Sequence, residues 1–252
     1  MSFASGADDY DRFMGRYSAP LAPVFIGFSR LVELPRVLDV GCGPGALTSE
    51  LVRRVGASAV WAVDPSEAFV AAARERLPGV RVERSVAEAL PFEDDMFDAT
   101  LSQLVVHFMA DPLAGLREMR RVTKPGGVVA ACVWDHAGGK GPLSVFWEAA
   151  RALDASVDDG AARAGARAGH LGELFRAAGL RDMTETALSV DVEHPGFEEW
   201  WEPFTLGVGP AGAFLARLGT TERDRLRQLC QSRLPRAPFV IAARAWATRG
   251  LA

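Results

Sequence analysis

The sequence predicts an α/β fold in which a parallel sheet is covered by helices on both faces. Short β-rich apolar runs alternate with helical stretches over the first 135 residues, and this alternation is typical of βαβ units with right-handed crossovers. The run at 128–134 (VVAACVW) is apolar throughout, as expected of a strand that is buried on both faces. A glycine-rich segment lies between the first predicted strand and the first predicted helix.

Strands and helices alternate in chain order up to residue 135. The apolar runs predict strands at 37–40, 60–64, 80–84, 97–102 and 128–134. Apolar residues at helical spacing predict a helix over 46–55, and Ser66 is positioned to cap a second helix over 67–77. Asp111 and Pro112 form a cap and first-turn pair for a third helix, which ends at a Lys-Pro-Gly-Gly turn.

The pattern changes after residue 135. The elements predicted there are helices at 143–154 and 171–178, a half-exposed strand at 188–193, an aromatic-rich helical region at 197–234 and an apolar strand at 239–247. Neither an internal repeat nor a long linker divides the sequence. We therefore expect one domain over residues 1–252.

Composition and charge exclude several classes of protein. The 252 residues carry a formal net charge of -4, which argues against a nucleic-acid partner because phosphate binding needs a concentrated basic surface. The three cysteines lack CxxC spacing, and no apolar stretch reaches the roughly 18 residues of a membrane span. The N-terminal residues show no signal-peptide pattern, and the sequence contains neither an HExxH motif nor a Cys/His metal spacing. We expect a reduced, cytoplasmic protein without a metal or a membrane partner.

The segment VLDVGCGPG carries the strongest functional signal in the chain. Gly41, Gly43 and Gly45 leave bare backbone between a strand and a helix, against which a large ligand can lie. A dinucleotide site prefers G-x-G-x-x-G/A, which this loop satisfies loosely through Ala46. Asp64 ends the second strand, where a carboxylate can accept hydrogen bonds from ribose hydroxyl groups in either class of ligand.

The motifs that separate the two ligands resemble one family. The tighter G-x-G-x-G, with Asp39 two residues before it, is similar to the first motif of class I S-adenosylmethionine-dependent methyltransferases. Residues 85–98 (SVAEALPFEDDMFD) resemble the adenine-binding turn of the small-molecule members, the ubiquinone/menaquinone-biosynthesis type or methyltransferase type 11 family. Residues 118–127 (EMRRVTKPGG) resemble the helix and turn before that family's fifth strand. The resemblance is close over residues 37–135, moderate over 10–36 and present only in outline over 136–252.

This resemblance implies a more detailed architecture. It predicts a Rossmann-like, doubly wound, mostly parallel sheet of seven strands with an antiparallel last strand and a helical lid. Residues 1–35 would form an N-terminal helical cap, 36–135 the cofactor-binding core, and 136–252 a C-terminal part with the lid near 197–234. The cofactor would be S-adenosylmethionine, with S-adenosylhomocysteine as product, and the partner would be a small-molecule acceptor.

The resemblance also implies which residues contact the cofactor. In the core these are Asp39, Gly41, Cys42, Gly43, Gly45, Asp64, Pro65, Ser66, Ala87, Glu88, Gln103 and Leu104. Val86 stands where the family usually has an aspartate, so adenine recognition would rest on the backbone at Ala87, helped by Glu88. In related enzymes the N-terminal segment folds over the cofactor, which would pair Arg16 with the methionine carboxylate. Tyr10, Met14, Tyr17 and Ser18 would cover the site. The alternative is an amphipathic helix that packs on the sheet edge.

Candidate catalytic residues follow the fourth and fifth strands, because ligands in open α/β sheets bind beyond the carboxyl ends of the strands. His107 and His136 occupy these positions and are candidates for a general base. A packing role is the alternative for His107. We expect His170 and His194 at the surface or in turns. The lid aromatics are expected either to contact the acceptor or to form the lid's own core; they are Trp200, Trp201 and Phe204.

Two other functions are compatible with the glycine loop. An NAD(P)-dependent oxidoreductase would use it, although no Tyr-x-x-x-Lys hydride-site signature is present. A non-catalytic S-adenosylmethionine-binding protein would keep the cofactor site without a base. In a methyltransferase, displacement at a sulfonium needs alignment and exclusion of water rather than a metal. Oxygen, nitrogen and carbon nucleophiles all suit that reaction.

Overall fold

A seven-stranded mixed sheet forms the centre of the protein, which the computed structural model describes over residues 6–31 and 36–252. The strands are β1 (Val37–Val40), β2 (Val60–Asp64), β3 (Arg81–Arg84), β4 (Phe97–Gln103), β5 (Thr123–Trp134), β6 (Arg181–His194) and β7 (Phe239–Leu251). Their order in the sheet is β3-β2-β1-β4-β5-β7-β6. β7 is antiparallel to both of its neighbours, whereas the other neighbouring pairs are parallel. The predicted Rossmann-like sheet with a reversed last strand is confirmed.

The helices follow the strands in the alternation that the sequence predicts. They are α1 (Ala7–Tyr10), α2 (Arg16–Ser29), α3 (Ala46–Val55), α4 (Glu67–Arg76), α5 (Pro112–Val122), α6 (Ser144–Leu153), α7 (His170–Ala177), α8 (Phe197–Trp201), α9 (Gly209–Arg217) and α10 (Thr220–Arg233). A π-helical turn at Asp11–Gly15 joins α1 to α2, and short 3-10 turns lie at Ala57–Ala59, Val106–Phe108 and Glu202–Leu206. The Ser66 side chain caps α4 and the Asp111 side chain caps α5, as predicted.

Helices cover both faces of the sheet. Successive residues of a strand point to opposite faces, so neighbouring residues of β1 belong to different buried clusters. Val37 belongs to one buried cluster, which also holds Phe25 of α2 and Leu51 of α3. Leu38, the next residue, belongs to the cluster on the other face with Leu116 of α5 and Phe175 of α7. The continuous apolar character of the central strands therefore reflects helices on both sides of the sheet.

β5, β6 and β7 are longer than the sequence predicted, and β7 runs to Leu251 rather than to residue 247. β5 begins at Thr123, and its pairing with β4 moves from Phe97↔Thr123 to Ala99↔Val128, so the predicted turn residues 124–127 loop out within the strand. β6 runs from residue 181 rather than 188. The first seven residues of β6 are exposed or half-buried, so they carry little apolar alternation that a sequence pattern could reveal.

The aromatic-rich region at 197–234 forms three helices and a 3-10 turn rather than one helix. Pro203, Gly207 and Pro210 lie at the breaks between them, where a missing backbone donor or a left-handed backbone ends a helix. These helices pack with α6 in a buried cluster separate from the two sheet faces. They form the lid, defined from here on as α6 and α8 to α10.

Three further observations concern the described residues. No helix among them is both long and apolar enough to cross a bilayer. Within residues 6–31 and 36–252, no group of three or more His, Cys, Asp and Glu side chains is arranged to hold a metal ion. All three cysteines are buried free thiols.

Candidate functional site

A large cleft opens at the carboxyl ends of β1, β2 and β4. Its volume is about 620 Å³. The predicted cofactor-binding residues that line it are Tyr10, Ser18, Asp39, Gly41, Cys42, Gly43, Asp64, Pro65, Ser66, Ala87, Glu88, Gln103 and Leu104. Because ligands of open α/β sheets bind at this edge, we define this cavity as the candidate cofactor cleft.

The glycine loop is held against β2 by backbone hydrogen bonds. The amides of Gly41 and Cys42 donate to the Val63 carbonyl oxygen at 2.8 and 2.9 Å. Gly41 and Gly43 both have positive φ angles, of 77° and 55°. A Cβ atom on Gly41 would overlap the side chain of Val105, whereas a Cβ on Gly43 would meet no atom within 4 Å. Gly41 therefore permits close packing of the protein, and Gly43 leaves open space.

Asp64 ties the glycine loop to the end of β2. Its carboxylate accepts hydrogen bonds from the Gly43 amide at 2.9 Å and the Ser66 amide at 2.8 Å. Burial raises the pKa of Asp64, and these two amide bonds oppose the increase. Each carboxylate oxygen has a second lone pair, so the group can still accept hydrogen bonds from two hydroxyl groups in the cleft.

Asp39 places an unpartnered carboxylate oxygen at the cleft. The side chain is 1% exposed, and Oδ2 accepts a hydrogen bond from the Thr48 hydroxyl at 2.6 Å. Oδ1 has no hydrogen-bond partner. Burial raises the pKa of Asp39 to about 7, although the bond from Thr48 acts to lower it. A buried acceptor of this kind is stabilised by a ligand that brings a donor, above all a cationic one.

In the turn predicted to bind adenine, Glu88 lines the cleft and also makes hydrogen bonds within the protein. Glu88 Oε1 accepts hydrogen bonds from the amides of Ala110 and Asp111 at 2.7 and 3.2 Å, so this oxygen anchors the turn before α5. Val86 lines the same part of the cleft and is 46% exposed, an unusual exposure for a valine. This end of the cleft is therefore less polar than the sequence prediction implied.

Gln103 and Leu104 connect the end of β4 to the N-terminal helix. The Gln103 side-chain amide donates to the Ser18 carbonyl oxygen at 2.9 Å, and Gln103 Oε1 has no hydrogen-bond partner. Leu104 has a φ angle of 65°, which is rare for a residue with a branched side chain. This left-handed backbone turns the chain out of the sheet at the edge of the cleft.

The N-terminal segment contributes two of its predicted residues to the cleft, Tyr10 and Ser18. The Tyr10 ring contacts Phe69 edge-on at 5.3 Å, and burial raises the pKa of its hydroxyl. Met14 lines an adjoining cavity instead, and the Tyr17 hydroxyl bonds to His194 Nε2 at 2.8 Å. The segment is fixed from outside by Arg76, which pairs with Asp8 and Asp11.

The predicted roles of Arg16 and His194 need correction. Arg16 forms an ion pair with Glu199 at 2.7 Å and does not line the cleft, so it is not placed to bind a methionine carboxylate. His194 is fully buried rather than at the surface, because its ring lies between Tyr17 and Glu199. Burial lowers the pKa of His194. These residues join α2, β6 and the lid.

His107 and His136 lie together in a second cavity of about 70 Å³. Their ring centroids are 5.4 Å apart. This cavity shares Tyr10, Leu104 and Phe108 with the cofactor cleft and therefore adjoins it. We call it the histidine cavity.

The aromatic walls of the histidine cavity are not those that the sequence suggested. Trp200, Trp201 and Phe204 do not line it, because they are buried in the lid, where Phe204 stacks on Phe146 at 4.6 Å. The alternative prediction was that these three residues form the core of the lid, and their positions agree with it. The aromatic residues that do line the cavity, beside the two histidines, are Tyr10, Phe13, Phe108, Trp134 and Trp147. Trp134 ends β5, at the carboxyl edge of the sheet, but the sequence analysis singled out neither Trp134 nor Trp147.

Comparison with known proteins agrees with this geometry. Residues 38–131 match the family described as a methyltransferase domain. The chain is similar to a malonyl-[acyl-carrier protein] O-methyltransferase of Halorhodospira halophila, with 41% identity over 97 residues, which are 37% of this chain and 33% of that protein. It is also similar to the ubiquinone/menaquinone biosynthesis C-methyltransferase UbiE of Geobacter sulfurreducens, with 39% identity over 105 residues, which are 39% and 41% of the two chains.

A solved structure shows the same fold over nearly the whole chain. It is a SAM-dependent methyltransferase of Thermotoga maritima with a TM-score of 0.54 and 21% identity, and the alignment covers 97% of this chain and 98% of that one. The chain spans between 33% and 54% of the length of the curated relatives it matches. The fold is that of a Rossmann-like α/β protein, and residues 38–131 are similar to the methyltransferase domain family, in agreement with the motifs.

Proposed function

We propose that the protein is an S-adenosylmethionine-dependent methyltransferase that acts on a small organic acceptor. The observation that carries the proposal is the Asp64 carboxylate, which is bonded to the Gly43 amide beside open space in the cofactor cleft. The match of residues 38–131 to the methyltransferase domain family supports it independently. The three buried free thiols suit a reducing compartment, and we infer a cytoplasmic location from them.

The residues of the cleft fit this cofactor in charge and shape. Asp64 is suited to the two ribose hydroxyl groups, and the unpartnered Asp39 oxygen to the ammonium group of the methionine part. Gly43 leaves room where a side chain would fill the cleft. When bound, S-adenosylmethionine supplies a methyl group on a positively charged sulfur. Tyr10 and Leu104 line both the cleft and the adjoining histidine cavity, and their side chains would help to exclude water where the two meet.

The proposal is tested by titrating the protein separately with S-adenosylhomocysteine and with NADH in a calorimeter. We expect micromolar binding of S-adenosylhomocysteine and no heat from NADH. Tight binding of NADH alone would identify an oxidoreductase. If S-adenosylhomocysteine binds but no acceptor yields it from S-adenosylmethionine, the protein is a non-catalytic binding protein.

Asp39 should make cofactor binding depend on pH. The ammonium group of the ligand favours the ionised carboxylate, so binding must release the proton that Asp39 holds below its raised pKa of about 7. We expect the affinity for S-adenosylhomocysteine to rise by up to about tenfold per pH unit between pH 5 and 7 and then to level off. The measurement is a calorimetric titration from pH 5 to 8.

Asp39→Asn should remove most of this pH dependence and weaken binding at pH 8. Asp224→Asn, a change at an exposed position on α10, is the matched control and should keep the wild-type profile. The stability of the protein without ligand should change with pH in the opposite direction to the binding affinity. A raised pKa means that the folded state holds the proton more tightly than the unfolded chain does. The Asp39 contribution to the free energy of unfolding therefore falls as the pH rises from about 4 to about 7. A flat wild-type binding profile would contradict the role given to Asp39.

A further inference from the structure

The histidine cavity contains charged groups that already have partners. Arg163 pairs with Asp158 at 3.1 Å, and its guanidinium lies 5.9 Å from the Phe108 ring centroid. Asp159 pairs with Arg151 at 2.7 Å. The remaining lining is mostly aromatic and aliphatic. An ionised ligand would lose its hydration here without gaining an opposite charge, so the cavity is suited to an uncharged molecule.

Two histidines of the cavity lining carry buried ring nitrogens without hydrogen-bond partners, and the indole nitrogen of Trp134, a donor, also lacks one. His107 Nδ1 and His136 Nε2 are both shielded from solvent and make no hydrogen bond. Burial lowers the pKa of His107 well below its usual value and that of His136 to about 4, and the nearby Arg163 acts in the same direction. Both rings are therefore neutral at pH 7. A buried nitrogen without a partner is costly, which favours a ligand that can complete the hydrogen bond.

A hydroxyl group suits these two nitrogens in either ring tautomer. The unpartnered nitrogen of a neutral histidine is an acceptor in one tautomer and a donor in the other. A hydroxyl group can both donate and accept, so it satisfies one or both rings in either arrangement. An ammonium group only donates and a carboxylate only accepts, and both are charged.

We propose that the methyl acceptor is an uncharged, flat apolar molecule that presents an acidic, phenol-like hydroxyl group to His107 and His136. The inference rests on the proposed function, because the histidine cavity adjoins the cofactor cleft through Tyr10, Leu104 and Phe108. The cavity volume of about 70 Å³ is about half that of a protein cavity known to hold benzene. The reacting end of the acceptor is therefore no larger than part of a single ring.

The atoms balance in a direct displacement. A new bond forms between the acceptor oxygen and the methyl carbon as the methyl–sulfur bond breaks, and the electron pair of the broken bond stays on sulfur. The hydroxyl proton passes to an imidazole nitrogen of His107 or His136, which then returns it to water. Such weakly basic histidines suit a hydroxyl with a pKa of about 10, like that of a phenol, far better than an alkanol.

The test uses protein saturated with S-adenosylhomocysteine and phenol as the probe. Binding is followed by NMR through the ring nitrogens of the histidines, with anisole, benzoate and benzylamine as matched ligands. We expect phenol to shift the His107 and His136 signals and to bind at least about tenfold more tightly than the three others, which lack the hydroxyl or carry a charge.

His107→Gln and His136→Gln should each lose this preference for phenol while binding S-adenosylhomocysteine within about twofold of wild type. His170→Gln is the matched control, because His170 lies outside the cavity lining, and it should keep the preference. If benzoate, benzylamine or anisole binds as tightly as phenol, or if phenol leaves both histidine signals unchanged, the acceptor class is wrong and the methyltransferase proposal stands. If the wild-type protein does not bind S-adenosylhomocysteine, both the methyltransferase proposal and the acceptor class are wrong.

Discussion

Replacing Gly43 with leucine should abolish the binding of S-adenosylhomocysteine and leave the protein folded. A Cβ atom at this position meets no protein atom within 4 Å, so the added side chain would extend into the cofactor cleft. The positive φ of 55° makes any L-residue unfavourable there, at a cost of about 1–2 kcal/mol in the free energy of unfolding. We expect a loss of affinity of at least about 100-fold, measured by calorimetry alongside urea denaturation.

Two other glycines separate the effect on binding from the effect on the backbone. Gly126 has a φ of 80° and open space around its Cβ position, and it lies in the turn at the start of β5, away from the cleft. Gly126→Leu should therefore lose stability without losing affinity. Gly41→Ala should lower the free energy of unfolding more than Gly43→Leu or Gly126→Leu does, because the added Cβ would overlap the side chain of Val105. Wild-type affinity in Gly43→Leu would mean that the ligand does not lie against the glycine loop.

Asp64→Ala should remove most of the binding of S-adenosylhomocysteine. The change deletes the proposed acceptor of the ribose hydroxyl groups and also frees the amides of Gly43 and Ser66. Hydrogen bonds to a charged group contribute about 1.5–3 kcal/mol each, so the loss of two corresponds to at least about 100-fold in affinity.

A pair of ligands distinguishes ribose recognition from a structural role of Asp64. Wild-type protein should bind adenosine about tenfold more tightly than 2′-deoxyadenosine, and Asp64→Ala should bind the two equally. Asp224→Ala is the control, because Asp224 is exposed on α10 and lies outside the cleft lining. Discrimination that persists in Asp64→Ala would exclude the ribose role, even if affinity for both ligands falls.

The parts of the fold that the sequence predicted well depend on local patterns. The strand–glycine–helix segment, the caps at Ser66 and Asp111, and Asp64 at the end of β2 are each defined by neighbouring residues. The parallel sheet was predicted from the alternation of strands and helices, and the reversed last strand from the family resemblance. Such features are readable because the backbone conformation and the burial of one short segment determine them.

The parts that the sequence did not predict depend on contacts between distant segments. Arg16 pairs with Glu199, 183 residues away, and no spacing rule connects the two. Likewise, Trp147 faces the histidine cavity and Trp200 does not, although both are large aromatics in helices of the lid. Glu88 was assigned by its place in a motif, but one of its oxygens is held by the turn before α5. Side-chain direction in these cases is set by packing that only the folded chain defines.

Tyr10 lines both the cofactor cleft and the histidine cavity. Ion pairs on the protein surface hold the N-terminal segment that carries it. Arg12 pairs with Glu202 of the lid, and Arg76 of α4 pairs with Asp8 and Asp11. Exposed pairs of this kind contribute at most about 1 kcal/mol each and are weakened by salt. A shift of this one segment would expose the cofactor cleft and the histidine cavity together. Entry of the acceptor and retention of the cofactor would then depend on the same movement.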